Sequence, residues 1–179
     1  MENILVIKDR DTILQISYED MIKYHGRFHI GGVALAFKAL QLGFARLLPP
    51  GQVPSRSKIA FASGMGPTAT GVLDGVEMVT RAGSKGRMTS DTVLGKNVTA
   101  PETPNAGKFY FELTYDGVKL GLALKEGLVP EEFISLSRQA MARTLDNDGA
   151  RRLQEVKEEL AATLMSNKAE DLFNCIELG

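Results

Sequence analysis

Residues 22–47 read IKYHGRFHIGGVALAFKALQLGFARL, with apolar or ring-bearing side chains at Ile22, His25, His29, Val33, Phe37, Leu40, Phe44 and Leu47. That is the three-and-four spacing of one helical face. It predicts a long helix that begins near Tyr18 and ends at Pro49-Pro50-Gly51. Ser17, three residues ahead of Asp20, supplies a start resembling a capping box. The weak point is Gly31-Gly32, where two residues without a Cβ either break the helix or let another backbone approach closely. A break or kink is the expectation there.

Working outward, the apolar runs 4–7 and 12–16 are parted by Lys8-Asp9-Arg10-Asp11, the pattern of a hairpin. Downstream, residues 58–62 form a short apolar run, expected to be a buried strand that enters the glycine-rich turn 64–68. A second helix follows on Val72, Val76 and Val79, with Leu73 alongside, and is expected to stop near Gly83. The Thr- and Val-rich stretch 86–99 is expected to be extended, and 100–105 a loop. Residues 108–115 alternate Phe109, Phe111, Leu113 and Tyr115 against Tyr110, Glu112 and Thr114. Asp116-Gly117 then turns the chain into 118–124, the clearest hairpin in the sequence. From Pro130 onward the pattern is helical, over about 130–145 and again over about 148–166 after the break at 146–149, with a short tail at 169–178. Helix, strand, helix, several strands and terminal helices make an α+β pattern. One domain over 1–179 is expected, with its core at about 17–126 and a C-terminal helical segment at about 130–178.

The chain has 179 residues, 21 Lys plus Arg against 22 Asp plus Glu, and 44% apolar residues. A domain of this length can be held by its own core. The balanced charge argues against a nucleic-acid partner, which calls for a concentrated basic face. A lone cysteine, Cys175, can form neither an internal disulfide nor a thiolate zinc ribbon, so a reducing, cytoplasmic setting is the expectation. The opening MENILVIKDR lacks a basic region followed by a long apolar one, and no stretch of about 18 uncharged apolar residues occurs anywhere in the sequence; neither export nor a membrane span is expected.

The strongest chemical feature is that His25 and His29, the two histidines of the chain, lie four residues apart. On a helix this spacing points both rings one way, and two neutral imidazoles so placed can share zinc or another divalent first-row metal. They are half a zinc shell, to be completed by a carboxylate, water or another chain. The competing reading has both rings filling the apolar stripe. The pair lacks the intervening Glu of metalloprotease helices, and no nucleophile elbow accompanies it.

A second candidate is the turn 64–71, where Gly66 and Thr68 precede a helix start suited to an anion. It has neither a Gly-Lys-Ser/Thr ending nor the dinucleotide glycine spacing. Asp74, early in that helix, is a candidate oxygen ligand or an orienting partner for a histidine. Lys85, in the basic and glycine-punctuated stretch 80–87, is a candidate contact for an anionic group or cofactor, or one charge of a solvated helix end.

The stretch 24–37, with Tyr24-His25-Gly26 and the apolar run after Gly31-Gly32, resembles the signature of the FmdE family of formylmethanofuran dehydrogenase components: aromatic-His-Gly-His, then Cys-Pro-Gly and an apolar helix. Leu73-Asp74-Gly75-Val76, Thr80, Ser84-Lys85-Gly86 and the closing Ala169-Glu170-Asp171-Leu172-Phe173 are similar to later family segments, so the resemblance spans roughly 17–178. It implies a small α+β domain, helix-strand-helix followed by three strands in a mixed sheet, commonly a homodimer, that in methanogens accompanies a molybdenum or tungsten enzyme fixing carbon dioxide onto methanofuran. This chain resembles a stand-alone relative that lacks the family cysteines; stand-alone relatives have no assigned reaction, and metal binding by the His/Cys motif is what the resemblance implies for them. The sequence departs from the family where Arg27 replaces the second His, where the Cys-Pro-Gly cysteine is missing, and at Gly71 and Ala82, near the positions of later cysteines. Carried over residue by residue, His25 is the motif histidine, His29 a substitute ligand beside the vacated cysteine position, and Asp74 a helper. The expected function is therefore a metal-binding protein linked to one-carbon oxidoreductase chemistry. The alternatives are a non-catalytic accessory module of a larger oxidoreductase and a small-molecule enzyme with a His general base.

Overall fold

A computed structural model describes residues 3–179. Its centre is the apolar run of the opening stretch, which forms α2 (Ile30–Leu47) with Val33, Phe37 and Leu40 fully buried. By length and composition alone this helix could cross a membrane, but 67% of it is buried inside the fold, the environment of a core helix. It lies on a five-stranded sheet, in contact with β5 (Tyr110–Tyr115) and β6 (Val118–Leu124). Gly43 makes this possible, because a Cβ there would run into the Leu113 side chain. The alternation along β5 divides its side chains between two clusters: Phe111, Leu113 and Tyr115 join the main core, while Tyr110 packs with Ala100 and Ala123 in a smaller one.

The sheet runs β4-β3-β5-β6-β7, with β3 (Ile59–Ser63) parallel to β4 (Met88–Ser90) and every other pair antiparallel. A separate hairpin joins β1 (Ile4–Asp9) to β2 (Thr12–Ser17). Ser17 then caps α1 (Tyr18–His25) in the expected capping box with Asp20. α3 (Thr70–Thr80) packs on one side of α2 and α5 (Asn147–Ser166) on another, while α4 (Glu131–Met141) packs against α5. The architecture is α+β, with the expected order of helix, strand, helix and three strands visible as α2, β3, α3, β4, β5 and β6.

Several expectations are corrected. The long helix is two helices, and the break lies at Gly26–His29 rather than at Gly31-Gly32. Gly26 takes φ +93 as the cap of α1, and its amide donates to the Ile22 carbonyl. α2 runs unbroken through Gly31-Gly32; the lost side chain at Gly32 serves close approach, since a Cβ there would stand 2.9 Å from the Val72 nitrogen. Within 86–99 only Met88–Ser90 is a strand. α3 stops at Thr80, with Arg81 in the left-handed conformation, short of Gly83. The two C-terminal helices are parted as expected, but the break lies earlier, at 142–146: α4 stops at Met141, and α5 already begins at Asn147 because the Asp146 carboxylate caps it by accepting from the Gly149 amide. The tail is not helical throughout: after α6 (Ala169–Leu172), β7 (Phe173–Glu177) pairs with β6 and completes the sheet.

Candidate functional site

His25 is the last residue of α1 and His29 the cap residue of α2, so the rings do not share a helical face as the spacing implied. The loop between them brings them together by another route. Their ring centres stand 6.0 Å apart with planes inclined by 29°. The loop is fastened to α5 from outside: the Arg27 guanidinium donates to both Glu158 carboxylate oxygens, and the Gln154 amide donates to the Arg27 carbonyl. Arg27, which stands where the family resemblance expects a second histidine, is thus engaged with α5.

Asp74, in the second turn of α3, lies with Oδ2 2.7 Å from His25 Nδ1. A carboxylate can only accept, so Nδ1 carries the hydrogen and the neutral ring keeps its lone pair on Nε2. His25 Nε2 is buried and has no hydrogen-bond partner among the described residues. An imidazole held by a carboxylate on one nitrogen, with the other nitrogen free, is the arrangement in which histidines bind metals and serve as oriented bases.

His29 adjoins two neighbouring cavities of about 80 and about 350 Å3. Its pKa is pushed down to about 4, first by burial and then by the nearby charge of Lys157 and by His25. It is therefore a neutral imidazole at ordinary pH, able to ligate. Phe28 packs edge-on against it, with ring centres 4.5 Å apart, although Phe28 is 67% exposed. Lys157 of α5 lays its Nζ 3.8 Å from the centre of that same ring.

The floor of the smaller cavity is formed by the first turns of α2 and α3, through Gly31, Gly32, Thr70 and Gly71. Gly71 lets the helices meet, because a Cβ on it would collide with the His29 carbonyl oxygen. Among the described residues, no side chain caps the first turn of either helix.

The other sequence candidates divide. Thr68 lines both cavities beside His29. Gly66 takes φ +88 in the turn before α3 and its carbonyl accepts from the Ser90 hydroxyl. Lys85 lies beyond the other end of α3, against a separate cavity with Arg10, Arg56 and Arg87, so it does not converge with Thr68. Cys175 is half-buried in β7. Sequence reasoning missed Lys157 and Phe28. The signal for Lys157 was present: it stands four residues after Leu153 and three before Leu160, on the buried face of α5, where a lysine breaks the apolar pattern.

Among the described residues, no cluster of three or more His, Cys, Asp or Glu could enclose a metal ion, so the protein offers two imidazoles and one orienting carboxylate. Compared with known proteins, the chain matches no family model and no curated protein.

Proposed function

We propose that this chain binds zinc or another divalent first-row metal through His25 Nε2 and His29, with Asp74 orienting the His25 ring. The observation that carries the reading is the buried, partnerless Nε2 of a histidine whose other nitrogen is already held by a carboxylate. A buried nitrogen without a partner is costly, and a cation is a partner that suits a lone pair. The separation also fits. A zinc–nitrogen distance of about 2.0–2.1 Å puts the centres of two rings sharing an ion about 5–6 Å apart, against the observed 6.0 Å. His29 supplies the neutral form that ligation requires. Two imidazoles are half of a four-ligand zinc shell, and water, a bound ligand or another chain would take the remaining positions. When bound, such an ion supplies Lewis acidity next to the cavities.

The resemblance to the FmdE family of formylmethanofuran dehydrogenase components extends this proposal to a role beside a molybdenum- or tungsten-dependent one-carbon oxidoreductase, as a homodimer in the cytoplasm. The His25–Asp74 pair also supports a second reading, in which His25 is an oriented general base. Equilibrium dialysis of untagged protein against zinc, read by elemental analysis, separates the two. The expected result is stoichiometric zinc on the unaltered chain and its loss in the His25→Ala, His29→Ala double variant. Zinc far below stoichiometry on the unaltered chain would overturn the metal reading and leave the base.

A further inference from the structure

Among the described residues, Lys157 is a buried cation without an anion. The residue is only 5% exposed, and its Nζ makes neither a hydrogen bond nor an ion pair among the described residues; it rests against the Phe28 ring. The lysine lines both cavities next to His29. Burying a charge without a partner is costly, and nature rarely tolerates it without a use. Here burial lowers the lysine's pKa, as desolvation of a cation does. A cation–π contact recovers only part of what hydration would give.

The same small cavity meets the first turns of α2 and α3, both lacking a capping side chain among the described residues. The opening turns of helices carry the positive ends of their dipoles. Of the first-turn amides here, those of Ile30, Gly32 and Thr70 already donate to nearby carbonyls, which among the described residues leaves those of Gly31, Gly71 and Val72 as donors. Two such ends and an ammonium converge on one space, and every one of these groups favours negative charge. Unlike the cations Arg56 and Arg87 elsewhere, which donate to backbone carbonyls, the Lys157 ammonium faces neither an acceptor nor an opposite charge among the described residues.

From these groups we infer that the cavity beside His29 binds the carboxylate of a small organic acid, with Lys157 as its counter-ion and the two helix starts as further donors. The charge count selects a carboxylate over a phosphate: one formal cation serves the space, which matches a single negative charge better than a dianion. The walls select an apolar body. Phe28, Phe133, Met65, Met141 and Leu153 surround the larger cavity, while Asn105 and Ser137 stand among its polar residues. A volume of about 350 Å3 lies in the range of small-molecule sites. The acid head belongs in the narrow end at the helix starts, and the apolar body in the wide end. This inference stands on Lys157 and the helix starts and needs no metal.

The test uses the full chain stripped of metal with EDTA, so that its failure is distinct from failure of zinc binding. Hexanoate is the probe, with hexanol as the same body without charge and inorganic phosphate as an anion without the body. Calorimetry and thermal melts are expected to show saturable hexanoate binding with a Kd of about 1 mM or tighter, hexanol at least about tenfold weaker, and no saturable binding of phosphate. Lys157→Met, which keeps the stem and removes the charge, is expected to lose hexanoate binding at least about tenfold while melting at the same or a higher temperature. Lys157→Gln provides the same reading if the Met variant does not fold. Absence of hexanoate binding to the unaltered chain, equal binding to either charge-removing variant, or phosphate binding as tight as hexanoate would overturn the inference.

Discussion

His25 Nδ1 stands 2.7 Å from Asp74 Oδ2, a bond that ties the end of α1 to the second turn of α3 and fixes which imidazole nitrogen is free. The carboxylate is 44% exposed while the ring it holds is 7% exposed. Asp74→Ala is expected to lower zinc affinity about 10–100-fold, the usual consequence of removing a ligand's orienting carboxylate. It should also cost about 1–3 kcal/mol of folding stability, because Nδ1 of the buried ring loses its acceptor. Competition titration with a chelating dye and urea denaturation read the two separately. Unchanged zinc affinity would remove Asp74 from the site.

The adjacent glycines of α2 are expected to answer the same substitution in opposite ways. A Cβ on Gly31 would meet the Leu160 side chain at 3.5 Å, ordinary contact, whereas one on Gly32 would meet the α3 backbone, with Val72 N at 2.9 Å and Gly71 C at 3.1 Å. Gly31→Ala therefore gains helix propensity and should be neutral or stabilising by up to about 1 kcal/mol. Gly32→Ala must push two helices apart and should cost about 1–3 kcal/mol. Denaturant midpoints decide, and equal effects at both positions would contradict the close approach.

Arg56 closes the far end of α3. Its guanidinium donates to the Val79 and Met78 carbonyls and to Asp9, and its side chain is largely buried. Arg56→Ala leaves helix-end carbonyls without their charged donor and should cost about 1.5–3 kcal/mol. Arg56→Lys should rescue little of this, because a single ammonium cannot reproduce the planar fork. Chemical denaturation of both variants provides the check.

Local patterns carried much of this fold. The alternation of Phe109, Phe111, Leu113 and Tyr115 marked β5, and Asp116-Gly117 marked its turn, because strand faces and tight turns are written in neighbouring residues. Ser17 and Asp20 likewise announced α1. The division of the long helix was hidden because Ile22, His25, His29 and Val33 keep a helical rhythm across a loop that is not helical. Gly26, the residue that permits the break, is a single glycine and a weaker signal than the Gly31-Gly32 pair. β7 was hidden for a different reason: its register with β6 joins Phe173 to Leu124 across most of the C-terminal segment, and no local feature announces so distant a partner. At the site, the histidine pair and Asp74 were visible as residue types with suggestive spacing. The Lys157 counterpart depended on α5 packing against α2, a long-range event.

The neutral state of His29 should be visible in the acid limb of the stability curve. Its pKa falls from the ordinary 6.5 to about 4 in the folded chain, through burial first and then through Lys157 and His25. Between those values the unfolded chain binds a proton that the folded one refuses, so stability rises with pH in this window and is lost as pH falls from about 6.5 towards about 4. Carboxylates titrate across part of the same range, so the quantity to read is the difference between the unaltered chain and His29→Gln, both in EDTA. The urea midpoint of the unaltered chain is expected to fall more steeply with acidification than that of the variant. Solvent around the half-buried ring keeps the difference well below what the full shift would give. Lys157→Met should lessen the slope in a chain that retains His29, because one of the charges that repels the imidazolium is gone. Parallel midpoint curves for the unaltered chain and His29→Gln would mean that His29 accepts its proton as readily in the folded chain as in the unfolded one, and that the pocket does not hold it neutral.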